Sequence, residues 1–206
     1  MATEVDICNM ALSFLGDRAT LTSIDPPEGS AQAEHCARFY PMALQELLSV
    51  MPWGFATKRD ELAEFSDKIP GTAHAYALPA DCLSLQAVYS KAGKILNRWT
   101  LERAGSSRAI LTNEEVSYIR YTSLDVPSSI FSPTFALALA HLLASKLAGA
   151  MVTGPTGQEM SQAQLKLYEF YRQKAQVEDA RQSNEAAEVR QVFMGDYSDG
   201  DSYGKY

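Results

Sequence analysis

Cysteine and histidine are scarce in this chain, at three residues each. Cys8, Cys36 and Cys82 are odd in number, widely spaced and set among apolar neighbours, which argues for reduced core thiols over a disulfide framework. His35, His74 and His141 form no recognised metal-ligand spacing with cysteine or carboxylate. No H-E-x-x-H, C-x-x-C, G-x-S-x-G, Walker A or G-x-G-x-x-G pattern occurs. Catalytic, cofactor-binding and metal-binding residues are therefore all expected to be absent. His35 lies beside Cys36, but adjacent residues on a helix point in different directions, so a thiol and its base are not expected there. Glu178, Asp179 and Glu185 are read as a solvated helix face rather than a divalent-ion site.

Positive charge is also in short supply. The net charge of −7 disfavours tight nonspecific binding to DNA, which depends on Lys and Arg neutralising phosphates. The first six residues lack the basic start and apolar run of a signal peptide, so export is not expected and synthesis is placed in the cytoplasm. The one long apolar stretch, 135–152, follows Pro133, is interrupted by His141 and Lys146, and is richer in alanine than leucine. It is expected to be a buried helix, with no membrane involved.

What is present is an ordinary folding composition. With 206 residues, 46% hydrophobic and 10% aromatic, the chain suits one compact domain, or one with an insertion, able to bury a core. Thr3 and Asp6 have the form of a capping box, and Val5, Cys8, Ala11, Leu12 and Leu15 follow at helical spacing until Gly16. After a Pro-Pro-Glu-Gly loop, a second helix is predicted over about 30–50, with Ala33, Cys36, Tyr40, Leu44, Leu47 and Leu48 on its apolar face and a bend at Pro41. Residues 58–65 fit either a helical turn or an outer strand. Alternating and aromatic segments at 76–79, 83–89, 99–101 and 116–121 predict strands, with turns at 92–94 and 104–107. A third helix runs from Ser132 or Pro133 to about Met151, and a fourth from Gln158 to about Glu188. The short glycine-rich loop between them should pack the two antiparallel.

The expected fold is thus α+β: an antiparallel bundle of about four helices (1–65 and 130–190), a small inserted antiparallel β-sheet (72–125) and an extended C-terminal tail (191–206). Within the β region Lys91, Lys94, Arg98, Arg103 and Arg108 interleave with Tyr89 and Trp99. Nucleic-acid contact is one reading of that pattern, and protection of strand edges is the other.

The most distinctive stretch is Met51, Pro52, Trp53, Gly54 and Phe55, followed by Lys58 and Arg59. Two large rings flank a glycine just beyond a proline-ended helix, so both can fold back on that helix. Trp53, Phe55, Leu12, Leu44 and Leu47 are read as structural core. Before the stretch come Phe39, Tyr40 and Pro41; the first helix carries Asn9, Ala11, Leu12, Leu15 and Gly16 as N-x-A-L-x-x-L-G. Leu78, Pro79 and Asp81 form a Leu-Pro-x-Asp corner. Phe135 to Ala140 and the Asp179, Ala180, Arg181 close of the fourth helix complete the series. In this order the motifs resemble the head-to-tail adaptor family of short-tailed bacteriophages, the tail tubular protein A type, over most of the chain.

The resemblance implies a non-enzymatic virion protein that forms a ring, dodecameric in the family, between the portal protein and the tail nozzle protein. DNA would pass through its lumen without sequence-specific binding. The final segment is not matched by motif. From composition alone, Phe193, Met194, Tyr197, Tyr203 and Tyr206 are read as partner-binding anchors, because aromatics supply large contact area at little entropic cost. Two alternatives stand beside this reading: a helical host protein that binds a partner through its tail, and a small enzyme joining His141 to a carboxylate of the fourth helix.

Overall fold

The computed structural model describes residues 2–65, 69 and 71–182. Helix α1 spans Glu4–Phe14 and begins in a complete capping box: the Asp6 amide donates to Thr3 Oγ1 at 3.1 Å, and the Thr3 amide to Asp6 Oδ2 at 2.9 Å. Ile7, Cys8, Ala11 and Leu12 form its buried face. Asn9 clamps the following loop with both ends of its amide, accepting from the Leu21 N–H at 2.7 Å and donating to the Leu21 carbonyl at 3.1 Å. Helix α2, Ala31–Ser49, is capped by Ser30 and runs through Pro41, which lies on its exposed side.

Helix α3, Pro133–Met151, starts with proline in its first turn, where the missing N–H is harmless, and Ser132 caps it through the Phe135 amide at 3.2 Å. It is apolar on nearly all sides, and α1, α2 and α4 all pack on it, whereas α1 and α2 barely touch each other. By length and composition α3 could cross a membrane, yet most of it is buried inside the protein. Helix α4, Pro155–Gln182, returns antiparallel along it. Successive contacts run in opposite directions: Ser161 Oγ to the Ser145 carbonyl at 2.8 Å, Gln164 to His141 at 2.7 Å, then Glu178 to Thr134.

The β region contains two three-stranded antiparallel sheets. One has the order β1–β6–β3, from Thr57–Glu61, Val116–Ser123 and Cys82–Ser90; the other has the order β2–β5–β4, from His74–Ala77, Ser107–Thr112 and Thr100–Ala104. Tyr76, Leu78 and Ile110 on one side and Val88, Val116, Ile119 and Tyr121 on the other share one core, so the sheets pack against each other. This core is separate from that of the helices. Strands β4 and β5 form a hairpin closed at Gly105, whose φ of 60° suits the first loop position of a two-residue turn.

The expectation of an antiparallel four-helix bundle with one small inserted sheet is therefore corrected to a mixed α+β fold. The four helices are present, but they gather around α3 and do not show a clear bundle, because a helix apolar around its circumference takes neighbours on several sides. The single sheet becomes two. Strand β5 carries Ala109, Ile110, Leu111 and Thr112 consecutively buried, so it lacks the alternation by which half-exposed strands are recognised. Strand β1 reads Thr-Lys-Arg-Asp-Glu, and its pairing with β6, from Thr57 opposite Thr122 to Glu61 opposite Tyr118, is what makes it a strand.

The α3–α4 turn depends on one close approach. A Cβ at Gly157 would lie 2.1 Å from the Val152 carbonyl oxygen, far inside van der Waals contact. Gly157→Ala should lower stability by about 1–3 kcal/mol, as overpacking does. Urea unfolding should show a lower midpoint for this variant and a slightly higher one for an alanine at Gly149, which lies in α3 where a Cβ meets open space and helix propensity favours alanine.

Candidate functional site

The chain crosses from helices to sheets once, between α2 and β1, and returns once, between β6 and α3. Two clusters hold these crossings. The first grows from Pro52, beyond which α2 does not continue. Trp53 turns back and is fully buried, its indole Nε1 donating at 2.9 Å to the Leu47 carbonyl, which otherwise accepts only a longer bond from the Val50 amide at 3.4 Å. Its ring meets Phe135 edge-on at 5.0 Å and Phe55 at 5.8 Å. Phe55 reaches Phe135 at 4.8 Å and Phe131 at 5.7 Å, so rings from both crossings and from α3 interlock. Leu12 and Leu47 are fully buried in the same core, while Phe55 and Leu44 are half-buried at its margin.

Helix α4 closes this cluster. The Gly54 amide donates to both carboxylate oxygens of Asp179, each at 3.0 Å, and a side chain at position 54 would begin 3.4 Å from Oδ1. Burial pushes the Asp179 carboxyl above the usual carboxylate range, and the Gly54 amide only partly offsets this. Glu178 beside it accepts from the Thr134 hydroxyl in the first turn of α3. These acids therefore anchor α4, and among the described residues no group of acids, histidines and cysteines could hold a metal ion. Glu185 lies outside the described residues.

The second cluster centres on Asp81, just before β3. Its Oδ2 accepts from Ser123 Oγ at 2.6 Å and from Lys58 Nζ at 2.9 Å, while the Tyr121 hydroxyl lies 3.2 Å from Oδ1. The Tyr121 hydroxyl also donates to Asp60 at 2.5 Å. Lys58 bridges on to Asp125 at 3.5 Å, and the Leu124 amide donates to the Asp81 carbonyl at 2.7 Å. Burial works against the Asp81 charge, but the bonds from Ser123 and Lys58 outweigh it and hold the carboxyl below its usual range. Burial, then the bond to Asp60, pushes the Tyr121 phenol up, so it stays a neutral donor.

The other residues singled out in the sequence are dispersed. His141 stacks between Phe14 at 4.2 Å and Tyr171 at 5.2 Å, and its Nδ1 lies 2.7 Å from Gln164 Oε1. An amide, rather than a carboxylate of α4, is thus its hydrogen-bond partner. Cys36 has the Cys8 thiol as its neighbour, and His35 stacks on Phe39 instead. Lys91 pairs with Glu115 at 2.9 Å, Arg108 bonds the Cys82 carbonyl, and Arg103 faces Arg108 across β4–β5. Arg98 borders two open clefts at the end of the sheets, one of which also takes in Lys91 and Lys94 and the other Trp99. The proposed anchors Phe193, Met194, Tyr197, Tyr203 and Tyr206 lie outside the described residues. Sequence reading missed the Asp81 cluster, whose only signal was the Leu-Pro-x-Asp corner; Lys58, Tyr121 and Ser123 are too far apart in the chain to suggest it. No protein-family model matches this chain, and no curated protein matches it.

Trp53→Ala should cost about 3–5 kcal/mol of stability, the usual penalty for emptying a large aromatic site. Trp53→Phe should recover part of this, since it keeps ring contacts but leaves the Leu47 carbonyl only the longer bond from the Val50 amide at 3.4 Å. Chemical denaturation of the three proteins gives the order directly.

Burial lowers the His141 pKa below 6.5, with the Gln164 bond opposing. The folded state then binds this proton less readily than the unfolded state. Its contribution to stability is complete above pH 6.5 and is lost as pH falls through the folded pKa. Between pH 7.5 and 5.5 the wild-type unfolding midpoint should fall more steeply than that of His141→Phe, which cannot titrate.

Proposed function

We propose that this chain is a head-to-tail adaptor of a short-tailed bacteriophage. It is a non-enzymatic virion protein, made in the host cytoplasm, that assembles as a dodecameric ring between the portal and the tail nozzle. DNA passes through the lumen without sequence-specific contact. The observation that best supports this reading is the use to which the shared motifs are put. Trp53, Gly54 and Phe55, the Asp179 close of α4 and the Leu-Pro-x-Asp corner at Asp81 all make structural bonds at or beside the crossings between helices and sheets. None of them lines the open clefts bordered by Arg98.

A ring closes through a heterologous contact, in which one face of a subunit meets a different face of its neighbour. A helical body joined to a pair of sheets supplies two unlike faces. The net charge of −7 is also suited to a channel through which DNA must slide rather than stick. Phe193, Met194, Tyr197, Tyr203 and Tyr206 are assigned as the anchors that meet the portal or an adjacent copy.

The test is native mass spectrometry of the purified protein, alone and mixed with the portal ring of its phage. A symmetric set of subunits should add stoichiometrically to the portal. A protein that stays monomeric and never binds the portal would overturn the adaptor reading.

A further inference from the structure

Helix α4 packs on α3 through Gly157, Gln164, Tyr168 and Ala175. On its opposite side Ala163, Leu167, Phe170, Lys174 and Val177 recur at intervals of four, three, four and three residues, the spacing of a coiled-coil seam. Nothing within the described residues covers this stripe: Leu167 is 42% exposed, Phe170 50% and Val177 52%. A row of large apolar groups at this spacing is more than the scattered exposure a surface helix tolerates. Over its central turns the charge on it is positive, while the acids of α4 lie towards its ends or engage other partners. Glu169 is paired with Arg172, and Glu178 and Asp179 are bonded to Thr134 and Gly54. Lys166 and Lys174 remain on the stripe, with Lys174 Nζ lying 4.4 Å from the centre of the Phe170 ring.

This surface calls for an acidic segment rich in aromatic side chains. A second α4 laid antiparallel about Phe170 would bring Lys166 against Lys174, so self-pairing of the stripe is disfavoured. We propose that the occupant in the free protein is the chain's own C-terminal segment, residues 191–206. That segment carries Asp196, Asp199 and Asp201 against Lys205, and spaces Phe193, Met194, Tyr197, Tyr203 and Tyr206 among glycines and serines. It is long enough: sixteen extended residues span up to about 50 Å. From Gln182 back to Leu167 is about 22 Å along the helix axis. Tethering to the same chain raises its effective concentration to roughly millimolar, above that of a second copy in dilute solution. The contact shields the anchors until a competing partner displaces them. It is stated for the free chain and stands or falls apart from the adaptor reading.

The test uses the full chain with the photoreactive residue p-benzoylphenylalanine in place of Phe170, and in a second preparation in place of Leu167. Each is irradiated as an equal mixture of ¹⁵N-labelled and unlabelled protein, with peptides assigned by mass spectrometry. The expected adducts join α4 to residues 191–206 within one isotopic chain. Adding Lys174→Glu should reduce their yield by roughly threefold, the scale of one exposed charge pair. Circular dichroism and the melting midpoint verify that each variant is folded. Mixed-isotope adducts, adducts to any other segment, or no adduct from either position would overturn the proposal.

Discussion

Both crossings between the helices and the sheets come within reach of one carboxylate, Asp81. Lys58 approaches it from the outgoing crossing, and Ser123 and the Leu124 amide belong to the returning one. The strands at those crossings are already paired, with Thr57 opposite Thr122 in the β1–β6 ladder, and the Asp81 cluster adds a side-chain tie across the same sheet. The tie is geometric more than energetic. The Lys58 side chain is 43% exposed, so its ion pair contributes little to net stability. Hydrogen bonds from Ser123 and Tyr121 on β6 align the cluster instead, and the neutral Tyr121 hydroxyl extends them to Asp60 on β1.

The stabilising work is done a few residues away, where Trp53, Phe55, Phe131 and Phe135 interlock. Burying such rings is worth about 1.5–3 kcal/mol each, several times what an exposed ion pair provides. The same cluster fixes the far end of α4 through Gly54 and Asp179. The near end is registered by polar groups set into an otherwise apolar interface. His141 and Gln164 bond each other, and the Gln164 amide reaches the Phe14 carbonyl, so α1, α3 and α4 meet in one alignment. Apolar packing alone would permit neighbouring registers, but a shifted register would leave these buried polar groups unpaired.

Much of the helical part could be read directly from the chain. The Thr3 and Asp6 box, Ser30 before α2, and Ser132 with Pro133 before α3 are local signals, because a cap bonds to a backbone amide only two or three residues away. The start of α4 was less legible: it begins at Pro155, three residues before the expected Gln158, since proline serves as a first helical residue as well as a loop residue. The sheets were harder. Strand β5 is buried on both faces and shows no alternation, and β1 is a polar segment with no strand signature of its own. Strand identity in both cases comes from the partner across the ladder.

By itself, the sequence determined where α1, α2 and α3 begin, which aromatic residue follows the proline at the end of α2, and that metal-ligand and nucleophile motifs are missing. These properties depend on residues within one or two turns of each other. Tertiary structure alone decided that six strands divide into two sheets, that His141 faces an amide, and that Asp81 joins Lys58 to Ser123. Those contacts span dozens of residues, and their register is set by which faces can be buried together, a quantity that no local pattern encodes.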